Sequence, residues 1–316
     1  MVRLVWLCAM CLSAIVTQAQ VTLGDPHRNV YDIAVRDSLI GLVSEHTIEV
    51  WHVTSRKLVT TMSNPGQDIF TSISFAGKNI VTGTRAGEVA IWNLATAEKS
   101  IVLQPGNQGS VTAIDVNSVK ELIAVAFSNN KVSVYSFLSL KEVVTFSNYN
   151  RDVTAVKFTR DNNALICGSG DGSVNVHDLE TGVTTTLIEK NKRWVHALAI
   201  SYDSSRLAIA TNPDRLLLYT TSDRTKGFHQ LAAERTAVDW IASMDYYRNN
   251  SQALATATFA GKIIIRTGFG SYKKKIKTIV NQIRFVPQVN TSMTLAIATN
   301  GKGLLLLEAV DMKSEK

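Results

Sequence analysis

Val153-Thr-Ala-Val-Lys-Phe158, then Ala164-Leu-Ile-Cys-Gly-Ser-Gly-Asp-Gly172, then Ser173-Val-Asn-Val-His-Asp178-Leu-Glu-Thr-Gly182 follow one another and carry three separate signals. The first run places apolar side chains at Val153, Val156 and Phe158, a spacing of 0, +3 and +5. The second is a strand of small residues that stops at a tight turn, Asp171-Gly172. The third alternates, with Val174 and Val176 on one face, and ends at a bulky residue, His177.

Moving outward in both directions, the apolar triplet returns as Val30/Ile33/Val35, Phe70/Ile73/Phe75, Val111/Ile114/Val116, Val195/Leu198/Ile200, Ile241/Met244/Tyr246 and Val280/Ile283/Phe285. Successive copies start 40, 41, 42, 42, 46 and 39 residues apart, in or near the period of about 40–45 residues expected of a four-stranded propeller blade. The turns recur in phase: Glu45-His46, Ala86-Gly87, Asn129-Asn130, Pro213-Asp214, Ala260-Gly261 and Asn300-Gly301. Glycine, asparagine and aspartate tolerate the left-handed backbone of two-residue hairpins, and His46 fits this pattern least. Five residues beyond each turn stand Trp51, Trp92, Tyr135, His177, Tyr219, Arg266 and Leu306.

These runs resemble the WD repeat, and the resemblance covers nearly the whole chain after residue 19. It implies an all-β fold: a seven-bladed β-propeller over residues 20–316. The Trp-Asp dipeptide that ends a typical repeat never appears intact: Trp51-His52 and Trp92-Asn93 keep the tryptophan, and His177-Asp178 keeps the aspartate. The family's polar network of His, Ser/Thr, Asp and Trp is therefore expected to be mostly missing, leaving the blades to rely on packing. The seventh copy supplies three strands before the chain nearly ends. Its fourth is expected from Gln20-Val21-Thr22-Leu23, which closes the ring and removes exposed sheet edges.

Residues 1–19 read as a cleavable secretion signal: a basic start at Arg3, an apolar stretch from Leu4 to Val16, and Thr17-Gln18-Ala19 with cleavage near Ala19. Its apolar stretch is too short to span a membrane. An exported protein, secreted or periplasmic, is expected. Removal of Arg3 lowers the formal charge from +7 to +6 and leaves Cys167 as the one cysteine, a buried small hydrophobe with no disulfide partner. Two glycosylation sequons, at Asn249 and Asn290, lie on loops and would be used only in a eukaryotic secretory route.

Signals for chemistry are sparse. The six histidines show no metal-ligand spacing, and no Gly-Xaa-Ser-Xaa-Gly elbow or phosphate-cradling glycine loop is present. One position into the first strands stand Tyr31, Thr71, Thr112, Thr154, His196, Ala242 and Asn281, a polar ring without a charged focus. No catalytic residue, metal or cofactor is expected. Nucleic acid is disfavoured because the basic residues are not interleaved with aromatics. The run Lys273, Lys274, Lys275 and Lys277 falls on the outer strand of the sixth copy. There it guards an edge, with weak contact to an anionic surface as the alternative.

Binding fits better. Residues just before the first strands, with the hairpins, crowd one mouth of a propeller, and a protein-partner surface is expected from Arg28, Asp68, Arg85, Arg151, Arg193, Trp194, Asp239, Trp240 and Phe259. Tryptophan and arginine dominate binding hot spots, although tryptophans at such junctions also serve as plugs between blades. The expected function is a noncatalytic interaction scaffold. The alternative is a small-molecule or glycan-binding propeller, or an enzyme, using the channel.

Overall fold

The computed structural model describes residues 20–64, 66, 68–103, 109–213, 215–221, 227–235, 239–287, 293–309 and 312–315. The secretion signal expected over residues 1–19, and Asp214 and Asn290, lie outside them. Seven antiparallel sheets follow one another along the chain. Their inner strands are Asp32–Arg36, Phe70–Ala76, Val111–Asn117, Val153–Phe158, Val195–Ile200, Ile241–Tyr246 and Val280–Val286, defining blades 1 to 7.

The 0, +3, +5 spacing has a structural cause. A regular strand returns to the same face every second residue, so a gap of three needs an extra residue. In blades 2 to 7 the inner strand carries that residue as a β-bulge, between Val153 and Ala155 in blade 4 and between Val195 and Ala197 in blade 5. After the bulge, Val156 and Phe158 rejoin the face of Val153, and all three are buried.

Burial is distributed by interface. Each of seven hydrophobic clusters joins two neighbouring blades, including the one that joins blade 7 to blade 1. The leading residue of one blade presses on the second strand of the blade before it, which is why that strand is built of small residues. A Cβ at Gly168 would lie 2.4 Å from Val195 Cγ1, and one at Gly83 would lie 2.3 Å from Val111 Cγ1.

In blades 2, 3 and 4 the turns are longer than two residues. In blade 4 the Ser169 N–H donates to the Ser173 carbonyl at 3.1 Å and the Gly172 N–H to the Ser169 carbonyl at 3.0 Å, enclosing three residues with Gly172 at φ 85°. Blade 2 repeats this with Gly87 at φ 89°, and blade 3 with Asn130 at φ 67°. The positive-φ residue thus ends a tight turn and rejoins the strand, the three-residue hairpin arrangement. His46 does not take positive φ; its turn is a two-residue loop closed by the Ser44 N–H on the Thr47 carbonyl at 3.0 Å. The bulky third-strand positions face one fixed position of the second strand, Leu165 opposite His177 and Leu207 opposite Tyr219. In blade 7, however, the equivalent position is Leu307, opposite Leu295, and not Leu306.

The ring closes as expected. Val21–Leu23 pairs with Leu304–Glu308 as the outer strand of blade 7, Val21 facing Leu306 and Leu23 facing Leu304. A second terminal pairing was not foreseen: Lys313–Glu315 adds a fifth strand to blade 6, against Gly270–Lys275. Lys273, Lys274 and Lys275 do lie on the fourth strand of blade 6, with Lys277 beyond it, but Lys313–Glu315 covers part of that edge.

The polar network is less depleted than the missing Trp-Asp dipeptides imply. In blade 2, Trp92 Nε1 donates to Thr82 Oγ1 at 2.8 Å. In blade 4, fully buried His177 lies 2.7 Å from the Tyr149 hydroxyl and 2.8 Å from Thr184 Oγ1, and stacks on Phe146 at 3.8 Å between ring centroids. His177 takes the structural place expected of it, with partners of a different kind. Cys167, also buried, has its thiol pushed up to about 12 by burial, which suppresses thiolate chemistry.

Candidate functional site

The inner strands present their side chains to the channel in layers. The first is the polar ring of Tyr31, Thr71, Thr112, Thr154, His196, Ala242 and Asn281, which opens into an upper chamber of about 490 Å³. Several of these groups are already committed to bracing the ring. Thr112 donates to the Val153 carbonyl and Thr154 to the Val195 carbonyl, each on the next blade, and Asn281 Nδ2 reaches from blade 7 to the Val30 carbonyl at 2.7 Å.

A charged focus does exist, three residues deeper than the sequence suggested. Asp115, Lys157, Asp245 and Arg284 share one register on blades 3, 4, 6 and 7, and all line a lower chamber of about 320 Å³. The two carboxylates perform the same task. Asp115 accepts the Phe158 N–H at 2.8 Å, and Asp245 accepts the Phe285 N–H at 2.7 Å, in each case an inner-edge donor of the following blade. Lys157 pairs with Asp115 at 2.9 Å. Burial pushes the Asp245 carboxyl up, opposed by the Arg284 charge and the Phe285 N–H. A similar device sits in the layer above, where Asp32 accepts the Ile73 N–H at 3.0 Å and Gln282 Nε2 at 2.9 Å. The clue in the sequence was a charge at one fixed offset in otherwise apolar strands.

At the upper mouth the expected partner-binding residues divide. Arg28 is held in an ion pair with Glu49, which also accepts Trp51 Nε1 at 2.9 Å. The Asp68 carboxylate caps two backbone donors, Ile69 at 2.8 Å and Ala86 at 3.0 Å. Arg85 lines the upper chamber, and Asp239, next to Trp240 in sequence, is half-buried. Arg193 has its backbone N–H on Asn191 Oδ1 at 2.8 Å.

The rest form one patch across blades 4 to 6. The Arg151 guanidinium lies over the Trp194 ring, 5.8 Å from its centroid. His196, two residues on, meets Phe259 edge to face at 5.1 Å, and the Phe259 N–H donates to the Trp240 carbonyl at 3.0 Å. Trp194 and Trp240 remain 45% and 47% exposed, so neither is a fully buried plug between blades. His196, whose imidazole burial pushes down, joins this patch as a neutral aromatic, a role its place in the polar ring had not suggested. Among the described residues, no group of three or more His, Cys, Asp or Glu side chains could hold a metal ion, and no helix is long and apolar enough to cross a membrane.

Comparison with known proteins matches the geometry. A family model described as the Vps8 β-propeller matches residues 51–192. The WD repeat-containing protein AAC3 of Dictyostelium discoideum is 23% identical over 172 residues, 53% of this chain and 36% of that protein. The chain folds as a seven-bladed β-propeller and is similar to WD-repeat proteins. Periodic tryptophan protein 2 of Arabidopsis thaliana is 30% identical to the propeller over 96 residues, 30% of this chain and 11% of its own. The THO complex subunit 6 homolog of Danio rerio is 22% identical over 148 residues, 40% of this chain and 45% of its own. The matched part of this propeller thus spans less than half the length of each of these relatives.

Proposed function

We propose that this propeller is a noncatalytic scaffold of the extracytoplasmic space that captures a protein partner on the face where its inner strands begin. The observation that carries this is the Arg151–Trp194–His196–Phe259–Trp240 patch, with two indoles half exposed on a rigid ring. Large, stiff aromatic surface costs little entropy to immobilise, and tryptophan and arginine are enriched among the few residues that carry most of the binding energy at protein interfaces. A relative named as the subunit of a complex agrees with an assembly role. The upper chamber supports a small ligand less well, because hydroxyl and amide groups around it already bridge the blades.

The test is partner capture by wild type and by a Trp194→Ala/Trp240→Ala variant, read by mass spectrometry of stoichiometric partners. Loss of one hot-spot residue costs about 2 kcal/mol or more, so the double variant is expected to bind at least about 30-fold more weakly. Its melting temperature is expected to stay that of wild type. Full retention of the partner would reject the patch.

The export component rests on the pattern of residues 1–19. Asn249, the described sequon, is exposed on the loop after the inner strand of blade 6.

A further inference from the structure

We propose that the lower chamber of the channel binds a small molecule carrying clustered phosphate groups. This does not depend on the upper-mouth reading, since it concerns the other end of the channel. Five basic residues converge on the chamber: Arg36 from blade 1, Lys157 and Arg160 from blade 4, Arg248 from blade 6 and Arg284 from blade 7. Three carboxylates oppose them, Asp37, Asp115 and Asp245. Asp115 is taken up by Lys157 and by the Phe158 N–H. Burial favours the neutral form of Asp245. Five basic side chains thus face three carboxylates, one of which is already paired with Lys157.

The arginines are also held in place. Arg160 and Arg248 both lie over Tyr202, 5.9 and 4.6 Å from its ring centroid, and Arg248 Nη2 donates to the Tyr202 hydroxyl at 3.0 Å. Arg36 lies over Phe75 at 4.9 Å. Among the described residues none of these three guanidinium groups is within salt-bridge distance of a carboxylate. Stacking holds the plane of a guanidinium while leaving edge N–H donors for a ligand, the fork geometry that suits phosphate oxygens. Holding the side chains beforehand also lowers the entropic cost of binding. A cleft with an excess of positive side chains raises the local potential for an entering anion. A volume of about 320 Å³ suits a small molecule and is too confined for a folded partner.

The experiment measures melting temperature and calorimetric affinity with inorganic tripolyphosphate, with citrate as the carboxylate control. Proteins are the wild-type chain, an Arg160→Glu/Arg248→Glu variant at exposed positions, and a variant with Lys273, Lys274, Lys275 and Lys277 changed to Gln. Tripolyphosphate at millimolar concentration is expected to raise the wild-type melting temperature. The arginine variant is expected to melt like wild type without ligand and to bind at least about tenfold more weakly, since each reversed charge repels the anion. The lysine variant and Trp194→Ala/Trp240→Ala are expected to bind as wild type. No rise in wild-type melting temperature overturns the proposal. So does binding that survives in the arginine variant or vanishes in the lysine variant. Equal stabilisation by citrate overturns the assignment to phosphate.

Discussion

Burial pushes the His177 imidazole down to about 4 from its ordinary 6.5. Between those values the unfolded chain takes up a proton that the folded chain refuses. The stability His177 contributes as a neutral group is therefore fully present above pH 6.5 and is lost as pH falls toward 4. The loss amounts to roughly 3 kcal/mol at most, at about 1.4 kcal/mol for each unit of depression. Urea unfolding at pH 7 and pH 5 is expected to show markedly lower stability at pH 5. His177→Phe keeps the stack on Phe146 but removes a hydrogen-bond partner of the Tyr149 hydroxyl, costing about 1–3 kcal/mol at pH 7 while reducing the slope with pH. An unchanged slope would remove His177 from this role. His196, also pushed down by burial, acts in the same direction and remains in the variant.

Among elements, the two terminal strands look alike and do different work. Val21–Leu23 closes the ring, and Leu23 is buried in the cluster between blades 7 and 1. Lys313–Glu315 only lengthens a sheet that already has four strands. Deletion of residues 20–25 removes a buried leucine and reopens an edge, which at about 2–4 kcal/mol corresponds to a drop in melting temperature of about 5 °C or more. Deletion of 313–316 leaves Met312 in its cluster and is expected to shift the melt by less than about 2 °C. Equal shifts in a calorimetric scan would deny the first strand its closing role. The bulge was present in the sequence as an odd spacing, visible because it keeps Val153, Val156 and Phe158 on one face. The three-residue hairpin was not, since Asp171-Gly172 suits a two-residue turn equally well.

At the scale of the molecule, seven blades and seven interfaces make a ring whose two mouths differ in chemistry, aromatic above and basic below. Export, as proposed, predicts that the mature protein begins at Gln20 and that a chain lacking residues 1–19 stays inside the producing cell with its fold intact. N-terminal sequencing and fractionation would show this, and recovery of an uncleaved chain outside would contradict it.

The upper-mouth patch was half legible. Trp194, Trp240, Arg151 and Phe259 could be named from their place just before a strand or at a hairpin, because that place follows from the repeat. Arg28 and Asp68 had the same credentials, and contacts with Glu49 and with the Ile69 and Ala86 N–H groups engage them instead. The sequence alone determined the number of blades, their inner strands and the closing segment, since each unit repeats the same local periodicity. Tertiary structure alone decided which polar groups meet. Lys157 finds Asp115 42 residues away, and Arg248 finds Tyr202 46 residues away, because the curvature of the ring brings neighbouring blades into register. Local periodicity is written in each strand, whereas a contact between blades depends on an angle that no single repeat contains.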